Sequence, residues 1–512
     1  MGRSEKSRIN IIYGIGFQCV YLILQLITRT VMLKHAGLTA LSLNGLLIEI
    51  VAMLSIAEMG IGVAVSYHLY LPLAEHNTKR VASVMHVFQM AYVAAGAAIF
   101  ILGLIFMPFL PRFIKDMTVD NGLLYTSYIL FLLITVLPYL FSSKAALLNA
   151  DQKNYIVSKT NTGFRAISFL IEIAILYYTG NFIYYLLIEL AYNVLFNYYI
   201  AVIVDRMYPY LKQHEGMQRE ELYPILRDIR QMFVGKVSGK ILNSTDNILI
   251  STLVSTGMVG IYSQYSMFVN GFLRLFASLN ENIAGSVGNL MAIETKEKCE
   301  ESFVNIMYFF FAAGMITACC FYAGIEPFLE GIVGKQYTLE QTALILVTID
   351  LFIDIMKMPL WLFFNANGMF GADQFISIAG SVINLALSII LGKMMGMTGI
   401  FIGTMASIII MTLSKLQMIY RKVFQIHVVS GIMNVFVYAG LMAAGMLFTH
   451  RFCAYSETAS WHPVLHFLLN CIVAGLISCV LAVLPYIKSN RLRYWVRHAR
   501  RIFSAVRMRV LH

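Results

Sequence analysis

The sequence predicts an all-α protein that crosses a membrane many times. Of its 512 residues, 59% are hydrophobic and only 13% are charged, whereas soluble domains carry about 25% charged residues. Apolar runs of roughly 20 residues recur along the chain, and each is long enough to cross the hydrocarbon as a helix. Helices are expected because lipid offers the backbone no hydrogen-bond partner, and the alternation of a barrel is absent.

Fourteen spans are predicted from these runs, and an even number places both termini on one side of the membrane. The longest connection, about 205–228, is too short for a soluble domain. The predicted spans are 9–33, 42–66, 82–107, 123–147, 156–178, 181–204, 229–254, 257–280, 302–325, 342–364, 375–392, 397–414, 430–449 and 464–487.

Basic residues predict the orientation. With a cytoplasmic N terminus, the inner segments hold 26 Lys and Arg and the outer segments hold 6, so the positive-inside rule places both termini in the cytoplasm. The net charge of +11 is therefore attributed to membrane topology, and no nucleic-acid partner is expected. From Arg491 to His512 apolar and basic positions alternate as in an amphipathic helix on an anionic leaflet; the alternative is a disordered, topology-setting tail.

The chain lacks the motifs of the common enzyme classes. Its seven cysteines form no CxxC pair and no metal-ligand spacing. The patterns GxxxxGK[ST], HExxH and GxSxG do not occur. We therefore expect no catalytic residues, cofactor or metal, and we favour a gradient-driven transporter over an enzyme.

Basic residues inside predicted spans are the first functional candidates, because a cation near the bilayer centre usually faces a cavity or a partner. In the seventh span Lys236, Lys240, Asn243 and Asn247 share one helix face, and Asp246 lies beside it. This face would suit an anion such as pyrophosphate. The alternative is that the lysine side chains extend to the lipid headgroups. The six cations are Arg29, Arg165, Lys236, Lys240, Arg274 and Lys357.

Two further spans carry similar polar lines. The eighth contains Asn270 and Arg274, followed at helical spacing by Ser278 and Glu281, and the first contains Gln18, Gln25 and Arg29. Interface anchoring is the alternative for Arg29, and extension to the headgroups for Arg274. The two glutamines are expected to bond across helices or to line water.

Acidic residues in spans are candidates for coupling to a proton or sodium ion. These candidates are Glu58, Asp246 and Asp354. Asp354 has an alternative role, since it could pair with Lys357 one helical turn away. Glu172 and Glu189 are further buried carboxylates that need a partner or a proton.

Several stretches have a recognisable sequence in a recognisable order. They are LSIAEMGIGVAVSYHLYLPLAEHNTKRVAS (54–83), NSTDNILIS (243–251), GIYSQYSMFVNG (260–271), SVGNL (286–290) and INLALSIILGKMMGMTGIFIGTMAS (383–407). Together with the fourteen-span count, they resemble bacterial polysaccharide repeat-unit exporters, which belong to the multidrug/oligosaccharidyl-lipid/polysaccharide exporter superfamily.

This resemblance implies a domain organisation. Two six-helix bundles, 1–204 and 229–420, would be joined by a cytoplasmic linker at 205–228 and would rock about a central cavity. Two appended helices at 421–487 and the basic tail at 488–512 would follow.

The resemblance also implies a flippase of the bacterial plasma membrane that moves a polyprenyl-diphosphate-linked oligosaccharide to the outer leaflet for polysaccharide biosynthesis. Spans 1, 2, 7 and 8 would line a cationic cavity. Membrane lipids, a polysaccharide polymerase and glycosyltransferases would be its partners. The implied diphosphate-binding residues are Arg29, Lys236, Lys240 and Arg274, and the implied polar lining is Gln18, Gln25, Asn243, Asn247 and Asn270.

Three other functions remain open. A multidrug extruder of the same superfamily would need buried carboxylates for cationic drugs, which the basic stripes disfavour. A lipid II flippase would differ in substrate but hardly in its physical requirements. A membrane glycosyltransferase usually carries large outer loops, whereas the outer loops predicted for this chain are short.

Overall fold

The computed structural model describes a helical protein. The described residues are 21–55, 68–69, 71–73, 75–116, 119–151, 153–212, 223, 245–456, 463–489, 491–495 and 497. Within these ranges the chain forms helices and turns and no strand, and ten of the helices are long and apolar enough to cross a membrane. The predicted all-α polytopic class is confirmed.

The chain divides into two compact units, Met1–Gln264 (unit 1) and Tyr265–His512 (unit 2), with the division inside one long helix, α8. The helices before the division are α1 (21–36), α2 (Gly37–Leu54), α3 (Thr78–Phe106), α4 (Asn121–Val136), α5 (Ser142–Ala150), α6 (Asn154–Thr179) and α7 (Phe182–Met207). The remaining helices are α8 (Thr256–Ile293), α9 (Lys296–Val333), α10 (Gln341–Ala366), α11 (Phe370–Met395), α12 (Met397–Met418), α13 (Val429–Ser456) and α14 (Pro463–Val483).

A proline interrupts the predicted fourth span. Pro138 lies in a 3-10 turn, Leu137–Leu140, which separates α4 from α5. Proline lacks the backbone N–H that a continuous helix needs, and its ring clashes with the preceding turn. The predicted span 123–147 is therefore two helices rather than one.

Three helices differ from the predicted spans in length or charge. Both α8 and α9 contain 38 residues and extend past the predicted spans 257–280 and 302–325. Helix α10 matches the span 342–364 closely but is not among the ten apolar helices, since it carries Asp350, Asp354 and Lys357.

A tight turn connects α6 and α7 and sets their relative depth. Gly180 ends α6 with a φ of +60°, and a Cβ atom there would lie 2.6 Å from the carbonyl oxygen of His35. Glycine meets both requirements because it has no side chain. The side chain of Asn181 then caps α7 by accepting a hydrogen bond from the Ile183 N–H at 2.8 Å.

Another close approach joins α11 to α12 in unit 2. A Cβ atom on Gly399 would lie 2.0 Å from the Leu391 carbonyl oxygen, and one on Gly403 would lie 2.6 Å from the Ser388 backbone nitrogen. Asn384 donates a hydrogen bond to Thr404 at 3.0 Å across the same contact. These residues belong to the stretch 383–407 on which the family resemblance partly rests.

A polar cluster lies at the connection between α5 and α6, outside the membrane-spanning segments. The Lys153 ammonium lies 2.6 Å from the Asp151 carboxylate, and the Tyr208 hydroxyl donates to Asp151 at 2.5 Å. Partial burial alone would raise the pKa of Asp151, but the hydrogen bonds from Lys153 and Tyr208 outweigh it and lower that pKa. The hydrogen bond to Asp151 raises the pKa of Lys153 in turn.

Candidate functional site

Unit 1 contains a half-open cavity of about 460 Å³. It lies among α1, α2, α4, α6 and α7. Its polar lining consists of Gln25, Thr28, Arg29, Asn44, Ser55, Thr135, Arg165 and Glu189. Its aromatic lining consists of Tyr21, Phe131, Tyr139, Phe169 and Tyr185. Charged, amide and aromatic side chains on one concave surface are typical of a site for a polar ligand.

Arg29 brings a positive charge to this cavity. Its guanidinium donates a hydrogen bond to the backbone carbonyl oxygen of Ser263, in the first turns of α8. Gly260 permits the close approach of α8 to α2, because a Cβ atom there would lie 2.4 Å from the Ser42 hydroxyl. Arg29 forms no ion pair with any residue that the structure describes.

Arg165, the second cation of the cavity, is paired with two acids. Its Nη1 atom lies 3.2 Å from the Glu172 carboxylate and also donates to the Glu189 carboxylate. The guanidinium carbon stacks 4.0 Å from the Phe169 ring centroid and 4.8 Å from that of Tyr192. Glu172 is fully buried, whereas Glu189 lines the cavity.

Arg165, Glu172 and Glu189 are separate candidates in the sequence, and that they form one cluster was not predicted. Two signals could have shown it. Arg165, Ser168 and Glu172 recur at helical spacing on one face of α6, and Ser168 donates to Glu172 at 2.5 Å. Glu172 and Glu189 also stand at nearly equal distances along the chain from the turn at Gly180, so an antiparallel hairpin brings them to one depth.

Helix α8 has two faces of opposite character. Phe268, Phe272 and Phe276 pack their rings against the aromatic rings of α9, at centroid distances of 5.8, 6.4 and 5.9 Å. The opposite face is exposed and carries small or polar residues at helical spacing. They are Asn270, Arg274, Ser278, Glu281, Gly285 and Asn289.

The exposed face includes two predicted site residues, Asn270 and Arg274. Arg274 forms no ion pair with a described residue. From Asn270 to Asn289 the face is about 28 Å long at 1.5 Å per residue, close to the thickness of the hydrocarbon layer. A charged and amide-bearing face is costly against lipid, so it is suited to water or a hydrophilic ligand.

The remaining predicted site residues are placed as follows. Gln25 lines the unit 1 cavity, Asn247 is half-buried, and Asp246 lies beside it at the start of a short helical segment. Asp354 pairs with Lys357 at 2.5 Å within α10, the alternative considered from the sequence. Five predicted residues lie outside the described ranges: Gln18, Glu58, Lys236, Lys240 and Asn243.

Comparison with solved structures shows where this helical arrangement occurs elsewhere. A multidrug-resistance MATE transporter of the MOP superfamily, in an inward-facing conformation, matches with a TM-score of 0.64 at 14% identity, over 78% of this chain and 94% of its own. The lipid II flippase MurJ, in an inward closed conformation, matches with a TM-score of 0.63 at 15% identity, over 92% of this chain and 99% of its own.

This chain has the fold of the MOP-superfamily transporters. A third match is a MOP transporter from Pyrococcus furiosus, described as having a binding pocket of reverse polarity, with a TM-score of 0.51 at 14% identity over 81% of this chain and 94% of its own. No protein-family model and no curated protein matches the sequence. The shared fold is the one that the family resemblance in the sequence implied.

Proposed function

We propose that this protein is a flippase that moves a polyprenyl-diphosphate-linked oligosaccharide from the inner to the outer leaflet of a bacterial plasma membrane, by alternating access. Both termini lie in the cytoplasm in this proposal. The diphosphate binds Arg29, Arg274, Lys236 and Lys240, and the amide side chains bind the glycan. Structural likeness to a lipid II flippase and to MATE transporters supports a carrier of this general kind.

The observation that carries the proposal is that Arg29, a half-buried residue that lines the unit 1 cavity, forms no ion pair with a described residue. A buried cation without an acidic partner is costly, and an anionic ligand offsets that cost. Arginine also presents several N–H donors in a plane, which matches phosphate oxygens. The nearby Arg165 shows what a neutralised cation looks like in the same unit, since two carboxylates bind it.

The polar face of α8 supports the same assignment. An oligosaccharide offers many hydroxyl groups, and amide, hydroxyl and charged side chains are their usual hydrogen-bond partners. Gly285 on this face leaves room for a bulky glycan, because a Cβ atom there would meet no atom within 4 Å. Arg274 lies on this face as a further contact for the diphosphate.

The same charges disfavour a multidrug extruder. A cationic drug needs an excess of carboxylates, yet among the described residues at the unit 1 cavity Arg29 and Arg165 balance the charges of Glu172 and Glu189. A lipid II flippase is the second candidate, favoured by the match to MurJ over 92% of this chain. Rescue of cells depleted of their lipid II flippase would decide for it.

Polymer production in cells tests the proposal. In a strain lacking this protein, wild type should restore surface polysaccharide, whereas Arg29→Ala and Arg274→Ala should lower it. A lost charge-assisted hydrogen bond is worth about 1.5–3 kcal/mol, which corresponds to roughly tenfold to a hundredfold in affinity.

The matched control is Arg112→Ala, which removes an exposed arginine that does not line the cavity. Membrane levels of each variant are measured by immunoblot. Full export by both Arg29→Ala and Arg274→Ala at normal protein levels would contradict the assigned anion site.

A further inference from the structure

Two carboxylates in unit 1 share a single guanidinium. Glu172 and Glu189 both contact the same nitrogen atom, Nη1 of Arg165. With all three groups ionised, the cluster carries one uncompensated negative charge in a region where Glu172 is fully buried. Charge that is removed from water without full compensation is destabilising, and proton binding is the simplest way to remove it.

The hydrogen-bonding pattern leaves a place for that proton. Ser168 donates to Oε1 of Glu172, and Asn193 donates to Oε1 of Glu189 at 3.3 Å. By contrast, Oε2 of Glu172 is buried and receives no donor within the described structure.

A metal cation fits this place less well than a proton does. Hard cations take several oxygen ligands, but three of the four carboxylate oxygens already accept hydrogen bonds from Arg165, Ser168 or Asn193. Among the described residues, no group of three or more His, Cys, Asp or Glu side chains could hold a metal ion.

The surrounding elements add one further charge. Helix α1 contributes Tyr21 and Arg29, and α7 contributes Tyr185 and Tyr192. The lining residues of α2 and α4 contain no titratable group. With the tyrosines neutral, Arg29, Arg165 and the two glutamates sum to zero when both acids are ionised. They sum to one positive charge when one acid holds a proton.

We propose that the Arg165–Glu172–Glu189 cluster is a proton-binding site that sets the anion affinity of the unit 1 cavity. Proton uptake changes the net charge of Arg29, Arg165 and the two glutamates from zero to +1. It also leaves Arg165 with one ionised partner instead of two, so that more of its positive charge acts on the cavity beside Arg29. Binding of a diphosphate-like dianion and binding of the proton therefore strengthen each other, and by linkage each raises the affinity for the other equally. This inference rests on the proposed function, since it takes the cavity to be an anion site.

Calorimetry on the purified full-length protein in lipid nanodiscs tests the linkage. The probe is methanedisulfonate, a dianion of diphosphate size whose charge does not change with pH. Titration in two buffers with different protonation enthalpies gives the number of protons taken up on binding. We expect about one proton near neutral pH, and an affinity that rises on acidification by up to about tenfold per pH unit, the limit for one linked proton.

Two variants localise the proton. Glu172→Gln keeps the shape and the Ser168 contact but cannot ionise, so it should bind the probe tightly at every pH without proton uptake. Glu189→Gln should behave similarly, and Glu301→Gln, an exposed acid in unit 2, should match wild type.

The outcomes separate this inference from the proposed function. Probe binding by wild type without proton uptake would overturn the linkage and leave the anion site intact. Unchanged proton uptake in both Glu172→Gln and Glu189→Gln would move the proton elsewhere and equally overturn it. No probe binding at any pH would contradict the anion cavity itself, and with it both proposals.

Discussion

Arg29 and Arg165 line one cavity, yet only Arg165 has acidic partners among the described residues. Unit 2 also contains a buried cation with an acidic partner. The fully buried Lys415 pairs with Asp373 and lies 3.5 Å from the Trp361 ring centroid. An ionised group removed from water ordinarily acquires a partner. Arg29 departs from this rule, which is the usual sign of a functional residue.

Spacing within one helix was enough to anticipate some of these contacts. The Asp354–Lys357 pair follows directly from positions one turn apart. The contacts of Glu172 and Glu189 with one nitrogen of Arg165 could not be predicted from spacing. They depend on the rotation of α7 about its own axis and on the rotamers of three side chains. The contact between Arg29 and the Ser263 carbonyl joins residues far apart in sequence, so no local pattern contains it.

Acidification tests the Asp151 cluster. A carboxyl whose pKa is lowered on folding adds stability above its unfolded pKa of about 3.9, and this stability is lost as the pH falls through the folded pKa. Wild type in detergent should therefore lose more thermal stability between about pH 6 and pH 3 than Asp151→Asn does. Because the pair is half-exposed, the difference should be a few degrees at most, matching about 1 kcal/mol or less.

Glu301→Gln controls for general acid effects, since it removes an exposed carboxyl. Its melting temperature should follow that of wild type across the same pH range. Equal pH dependence in wild type and Asp151→Asn would show that Asp151 adds no stability through its interactions with Lys153 and Tyr208.

The positions of the helices were predicted better than any other feature of this structure. A hydrophobic run long enough to cross the membrane can form few backbone structures other than a helix in lipid. Helices α3, α6, α7, α11, α12 and α13 agree with predicted spans to within a few residues at most ends. The break at Pro138 was missed, since a proline inside an apolar run produces either a kink or an end. The full lengths of α8 and α9 were also missed, because hydropathy falls where a helix continues among polar residues.

The α11–α12 contact gives a test at the level of elements. Gly399→Ala would place a Cβ atom 2.0 Å from the Leu391 carbonyl oxygen, so the two helices must separate. We expect a loss of about 1–3 kcal/mol of stability, typical of overpacking, measured as a lower melting temperature of the purified protein.

Gly440→Ala is the matched control in helix α13. A Cβ atom at Gly440 would meet no atom within 4 Å, and alanine favours helix over glycine by up to about 1 kcal/mol. This variant should therefore be as stable as wild type or more so. Equal melting temperatures for Gly399→Ala and wild type would contradict the close approach of α11 and α12.

For the whole molecule, the fold and the polarity of its site come from different parts of the sequence. Apolar runs specify a helical bundle that MATE transporters and MurJ also adopt at 15% identity or less. Function depends on a few polar residues placed on that scaffold. The reversed pocket polarity described for the transporter from Pyrococcus furiosus shows that this fold accommodates pockets of different charge.

The polar face of α8 shows how much of the site the sequence could indicate. Helical spacing alone grouped Asn270 and Arg274 on one side and continued the line to Ser278 and Glu281. The opposite side packs against α9 through three phenylalanines. This packing could not be predicted from the sequence, since aromatic residues suit lipid and protein contacts equally well.

The central claim is that Arg29 and Arg274, which form no ion pair within the described ranges, bind the diphosphate of a lipid-linked glycan during its passage across the membrane. The most direct test is a flipping assay in proteoliposomes, with a polyprenyl-diphosphate-linked oligosaccharide in one leaflet and its arrival in the other followed by an impermeant lectin. The wild-type protein and Arg112→Ala should flip this substrate, and Arg29→Ala and Arg274→Ala should do so at least about tenfold more slowly. Equal rates for all four proteins, or no flipping by wild type, would contradict the account.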